Sequence, residues 1–145
     1  MRSRLLWTLA VVLTLGTLVH QRMTGPTYPL RGQVTIGGQV IKLKLTRSHG
    51  GPTDQPVRIV APDTAVSGSV QWRRFPSGDP WDTLQLERRG DTLVTALPHQ
   101  PPAGKLAYQL RLARGGEREI FPREPAITRF KGDISAAIVI PHLLC

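Results

Sequence analysis

Along most of the chain, apolar and polar residues alternate with a period of two, which is the signature of half-buried strands. Leu30, Val34 and Ile36 share one parity, and Ile41, Leu43 and Leu45 share another across Gly37-Gly38. A two-residue turn at those glycines pairs Ile36 with Gln39, Val34 with Ile41 and Leu30 with Leu45. That register puts Lys42 and Lys44 on the opposite face, and a slip of one residue would bury them. The same alternation predicts further strands at Val57–Ala61, Val66–Arg74, Thr83–Arg88, Thr92–Leu97, Leu106–Leu112, Arg118–Phe121 and Ala126–Phe130, after Leu30–Ile36 and Val40–Arg47. The last two, separated only by Pro122-Arg123-Glu124-Pro125, read as one interrupted strand with Tyr28 and Lys131 at the same end of the domain.

Two more turns set expected registers. Gly90-Asp91, glycine first, predicts a type II′ hairpin with Arg88 opposite Leu93, Leu86 opposite Thr95 and Leu84 opposite Leu97. A three-residue loop at Gly115-Gly116-Glu117 would pair Leu112 with Ile120. Ser48 to Asp54 reads as a loop, as does Pro76 to Pro80.

The alternation fails at two uncharged stretches. Leu5–Val19 follows Arg2 and Arg4, and reads as a signal peptide or a retained anchor. As a helix it reaches about 22 Å, so Ser3, His20 and Gln21 are needed to approach the ~30 Å hydrocarbon core. No A-x-A site follows, which favours retention, with the N-terminal arginines on the cytoplasmic side. Ile134–Cys145 reads as the opening of a second membrane helix that stops short, or as a terminal strand ended by Pro141. The expected organisation is residues 1–22 as anchor, 23–29 as a stiff spacer, 30–131 as the β domain, and 132–145 as the start of the second helix.

Composition agrees with an all-β domain. In 145 residues, 14 Gly and 13 Pro suit short strands and tight turns. The formal charge of +9 raises nucleic acid or anionic lipid as partners. The basic residues alternate along strands, as at Lys42, Lys44, Arg73 and Arg111, with no basic block interleaved with aromatics. That pattern argues for a solvated surface and against nucleic acid. The single cysteine, Cys145, excludes an intramolecular disulfide.

Candidate chemistry is sparse. His20, His49, His99 and His142 are too scattered for a zinc motif, and His142 with Cys145 is a poor pair at a chain end. His142, inside an apolar run, is a candidate for a proton or haem partner. Trp81, between Asp79 and Asp82, is a candidate for stacking on a sugar ring or a partner; the bland alternative is a ring folded over the domain edge. His99 in the Pro98–Gly104 loop is a third binding candidate. No paired carboxylates, nucleophile motif or phosphate-binding loop appears, so neither catalysis nor a cofactor is expected.

Trp72 in a central strand, Leu97-Pro98 at a corner, and Tyr108 in the following strand resemble immunoglobulin-like and fibronectin-like sandwiches. The resemblance implies a β-sandwich of about seven to nine antiparallel strands, with Trp72, Tyr108, Pro98 and Gly90 as structural residues. It also implies a tyrosine corner, in which the Tyr108 ring fills the core edge and its hydroxyl bonds upstream backbone. The chain further resembles a group of bacterial membrane proteins, through Arg22–Pro29, Leu97–Lys105, and Arg129–Asp133 followed by Ile140-Pro141-His142. There the extracytoplasmic sandwich is held between membrane helices of the inner membrane. The implied partners are the lipid bilayer and other membrane or periplasmic proteins, and no reaction is implied. The rival expectation is a cleaved, secreted or periplasmic module that binds a glycan-type ligand.

Overall fold

The computed structural model describes residues 2–132, so His142 and the expected second helix lie outside the described residues. Helix α1, Arg2–Thr24, is longer than its apolar run because His20, Gln21 and Arg22 continue it. Its 23 residues span about 34 Å, enough for a bilayer core. Thr8, Thr17 and Thr24 each donate a hydroxyl to the carbonyl four residues back, at 2.8–2.9 Å. Those polar groups are thereby satisfied without water. The helix stops at Gly25-Pro26, where a Cβ on Gly25 would lie 2.8 Å from the Gln21 carbonyl. None of the apolar span Ser3–Thr24 is buried.

The rest is β structure. The strands are β1 (Leu30–Ile36), β2 (Gln39–Leu45), β3 (Ser48–His49), β4 (Gln55–Val60), β5 (Ser67–Arg74), β6 (Asp82–Gln85), β7 (Glu87–Arg89), β8 (Thr92–Leu97), β9 (Lys105–Arg114) and β10 (Glu117–Phe130). They form a two-stranded sheet β1-β2, a five-stranded sheet β3-β10-β9-β5-β6, and a three-stranded sheet β4-β8-β7. One core draws on all three. Val34, Ile36, Ile41, Leu43 and Leu45 come from the hairpin, Val57, Ile59, Leu93 and Leu97 from β4 and β8, and Val70, Leu106, Tyr108, Leu110, Leu112, Ala126 and Phe130 from the five-stranded sheet.

The first hairpin has the expected register, Leu30 opposite Leu45 and Val34 opposite Ile41. Gly37 and Gly38 both have positive φ, 57° and 73°, which a type I′ turn requires of its two central residues. At Gly90 φ is 64°, and Arg88 faces Leu93 as expected.

The strand expected at Thr83–Arg88 is instead two. The Leu86 N–H makes the last bond of the first, donating to the carbonyl of Gly68, its partner in the β5 register, at 2.9 Å. Before Leu86 the chain pairs with β5, and after it with β8. Leu84 therefore faces Val70, not Leu97, and the chain passes from one sheet to the other at a single residue. This split and the short β3 bring the strands among the described residues to ten, against the expected seven to nine.

The last hairpin also differs. Gly115-Gly116 alone forms the turn, so Glu119 faces Leu112 and Ile120 faces Arg111. One residue of slip reverses the faces: Ile120 is 47% exposed, and Phe121 packs against the core. Strand β10 is a single interrupted strand, with a register shift between Phe121 and Ala126. Gln109 fills the gap by donating its side-chain amide to the Pro122 and Arg123 carbonyls at 3.0 and 2.9 Å.

The Gly37 N–H donates to the Glu117 carboxylate at 2.7 Å, so the β1–β2 and β9–β10 turns share one pole. Strand β1 starts away from that pole and β10 ends away from it. The chain thus arrives at Leu30 and departs at Lys131 on the side opposite those turns.

Candidate functional site

Two places gather unusual side chains. The first is the end where β10 finishes. Strand β3 runs parallel to the end of β10, pairing Ser48 with Arg129 and His49 with Phe130. Phe130 is buried, and the rings of His49 and His99 meet it edge-on, each 5.6 Å between centroids. A carbonyl only accepts, so both imidazoles donate to the same Thr53 carbonyl. His49 Nε2 does so at 2.8 Å and His99 Nδ1 at 3.2 Å. The His99 backbone N–H donates to the Asp54 carboxylate at 2.8 Å.

The Pro98–Gly104 loop holds His99 there. Pro98 is half-buried, and its carbonyl and that of His99 accept from the Gln100 side chain at 3.2 and 2.9 Å. Ala103 takes a positive φ of 67° and donates its N–H to the Phe130 carbonyl. Nothing in the sequence joins His49 and His99, fifty positions apart; the β3–β10 pairing brings the first to Phe130 and the Pro98–Gly104 loop brings the second. Among the described residues the other ring nitrogen of each has no hydrogen-bond partner. Among the described residues no three His, Cys, Asp or Glu side chains converge as metal ligands would.

The second place is on the outer face of the five-stranded sheet. Arg73 lies over the Trp81 ring, 4.6 Å from guanidinium carbon to centroid. The loop after β5 folds back to make this contact, fixed by Ser77 donating to the Arg74 carbonyl and accepting from the Asp79 N–H. Trp81 keeps 36% exposure, so it is neither free nor folded away. The stack is a cation–π pair, and the Arg73 Nε beneath it is enclosed without a hydrogen-bond partner among the described residues.

The residues expected to be structural are distributed through the core and turns. Trp72 and Tyr108 are cross-strand neighbours on β5 and β9. Trp72 is half-buried against the core, and its ring N–H is enclosed without a partner among the described residues, so the expected core tryptophan is only partly one. Tyr108 is fully buried. Its hydroxyl donates to the Thr46 carbonyl at 2.6 Å, which is upstream backbone but not the Leu97–Gly104 corner. The bond links β9 to the end of β2. Burial raises the Tyr108 pKa above its ordinary 10.0, which keeps the phenol a neutral donor. Gly90 serves the β7–β8 turn.

Two further structural residues were not anticipated. Gln55, buried, donates to the Thr46 hydroxyl at 2.8 Å and accepts from the Thr128 hydroxyl at 2.6 Å. Together with Tyr108 this makes a satisfied polar network inside the core. Arg88 donates to the carbonyls of Ala61, Asp63 and Val66 at 2.8, 3.0 and 2.6 Å. The available signal was parity: Arg88 shares a face with Leu84 and Leu86, and an arginine at an apolar-face position needs acceptors. No protein-family model matches the chain, and no curated protein matches it.

Proposed function

We propose that this is a membrane-anchored, extracytoplasmic protein of immunoglobulin-like plan, acting by interaction or scaffolding without catalysis. The observation that carries it is α1, a bilayer-length helix whose apolar surface meets nothing in the domain. Arg2 and Arg4 precede the span, which supports a cytoplasmic N-terminus and a periplasmic domain on the bacterial inner membrane. The immunoglobulin-like plan is supported by the sheet order β3-β10-β9-β5-β6 against β4-β8-β7, by β3 lying parallel to β10, and by Trp72 opposite Tyr108. Interaction rather than catalysis is supported by the engaged state of the polar groups. His49 and His99 each commit a nitrogen to Thr53, and Asp54 is committed to the His99 backbone. The partners are the bilayer and other membrane or periplasmic proteins, with no nucleic acid.

The partly open Trp81 ring favours a second reading, a glycan-binding module released by cleavage. Fractionation combined with the mass of the mature N-terminus separates the two. The anchored protein stays with membranes and retains α1. A soluble product beginning near Arg22 would defeat anchoring and leave the second reading standing.

A further inference from the structure

The outward face of the first hairpin carries Arg31, Gln33 and Thr35 on β1, and Val40, Lys42 and Lys44 on β2, all exposed. The register sets Arg31 directly opposite Lys44, with Lys42 facing Gln33 beside them. Like charges opposite one another on a sheet oppose its pairing, so such a face gains from an external anion. No carboxylate precedes Asp54 in the chain, while Arg2, Arg4, Arg22, Arg31, Lys42, Lys44 and Arg47 all do. Among the described residues none of the three hairpin cations joins a salt bridge. The crevice between β2 and β4 is lined by both Lys44 and Arg58, so the basic surface continues onto the neighbouring sheet.

Position selects the anion. Helix α1 ends at Thr24 and β1 begins at Leu30. The five residues between them reach at most about 18 Å when fully extended. The Tyr28 N–H donates to the Gly25 carbonyl at 3.0 Å, and that turn shortens the reach. Arg31 lies over Tyr28 at 6.0 Å, an aromatic suited to the headgroup level. A spanning α1 therefore holds this basic face beside the membrane surface.

We propose that the outer face of the β1–β2 hairpin, through Arg31, Lys42 and Lys44, lies on anionic lipid phosphates of the leaflet from which α1 emerges. This rests on the anchored reading above and adds the orientation of the domain, with one broad face against the bilayer and the five-stranded face turned away.

The test uses the full chain in lipid nanodiscs of phosphatidylcholine alone or mixed with phosphatidylglycerol. Its only lysines are Lys42, Lys44, Lys105 and Lys131. Reductive methylation read by mass spectrometry reports each one, with Lys105 on the five-stranded layer as internal reference. Lys42 and Lys44 should label more slowly in the anionic discs, on the order of fivefold, the scale of one basic group at an anionic surface. About 0.5 M salt should abolish the difference. Arg31→Glu should remove the protection of Lys44 while the protein stays in the discs. Equal labelling of Lys42 and Lys44 in the two disc types, relative to Lys105, overturns the proposal, as does protection in both, which would indicate a different occupant. Failure to enter either disc refutes the anchored reading itself, and the hairpin proposal falls with it.

Discussion

Helix α1 and the β domain handle apolar side chains in opposite ways. In the domain, Ile36, Val70, Leu97, Leu106 and Leu110 are fully enclosed by protein. In the helix, Leu5, Leu6, Leu13 and Val19 are more than half exposed among the described residues. The chemistry of the side chains is the same, so the difference lies in what covers them. The domain hides its leucines in one core, whereas the helix, apolar all round, has the length and composition of a membrane span or a signal sequence.

The sharpest way to break this comparison is to damage each region alone. Leu110→Ala should cost about 2–5 kcal/mol of domain stability through the cavity it leaves, without changing membrane association. Leu13→Arg should cost about 2.5–3.5 kcal/mol of insertion and leave the domain's unfolding midpoint unchanged. Denaturant unfolding and membrane fractionation of both variants check this. If Leu13→Arg shifted the midpoint, the helix would be packing on the domain.

A smaller effect probes the polar part of the core. Tyr108→Phe leaves the Thr46 carbonyl without its phenol donor and should cost about 1–3 kcal/mol by denaturant unfolding. Because folding raises the Tyr108 pKa, its contribution is complete below the ordinary 10.0 and is lost as pH rises through the folded value. Wild-type stability should therefore fall more steeply than that of Tyr108→Phe above about pH 10. Parallel pH slopes for the two proteins would place the ring outside the core.

The smallest expected effect lies at the acidic end. The Asp63 carboxyl is held below its ordinary value, chiefly because it accepts the Ala65 backbone N–H and also pairs with Arg114. A lowered folded pKa gives stability that is present above the unfolded value of 3.8 and lost as pH falls through the folded one. Asp63→Asn should flatten thermal stability against pH below about pH 4 and change little at neutrality. An unchanged acid limb would assign that limb to other carboxylates.

The elements read most accurately from sequence are those that local chemistry determines. Gly37-Gly38 can supply two positive φ values, and alternation on either side then admits one register. The β9–β10 turn was not legible because Gly115-Gly116-Glu117 permits loops of two or three residues, and Ile120 and Phe121 are both apolar. Either register offers the core a large side chain, so the pattern does not choose. The split at Leu86 depends on the Gly68 carbonyl in another strand, which no local window contains. The same holds for the His49–Phe130–His99 group and for Arg73 over Trp81. Each is assembled by pairing or loop return, and its members carry no spacing that announces it.

The crossing at Leu86 also has a mechanical consequence. A single residue spans at most about 3.6 Å, so the end of β6 and the start of β7 share almost no slack. Layers joined only by loops can slide over one another like cards, but here such sliding would have to stretch a taut link. Load applied to the five-stranded layer is therefore passed directly to β7 and β8.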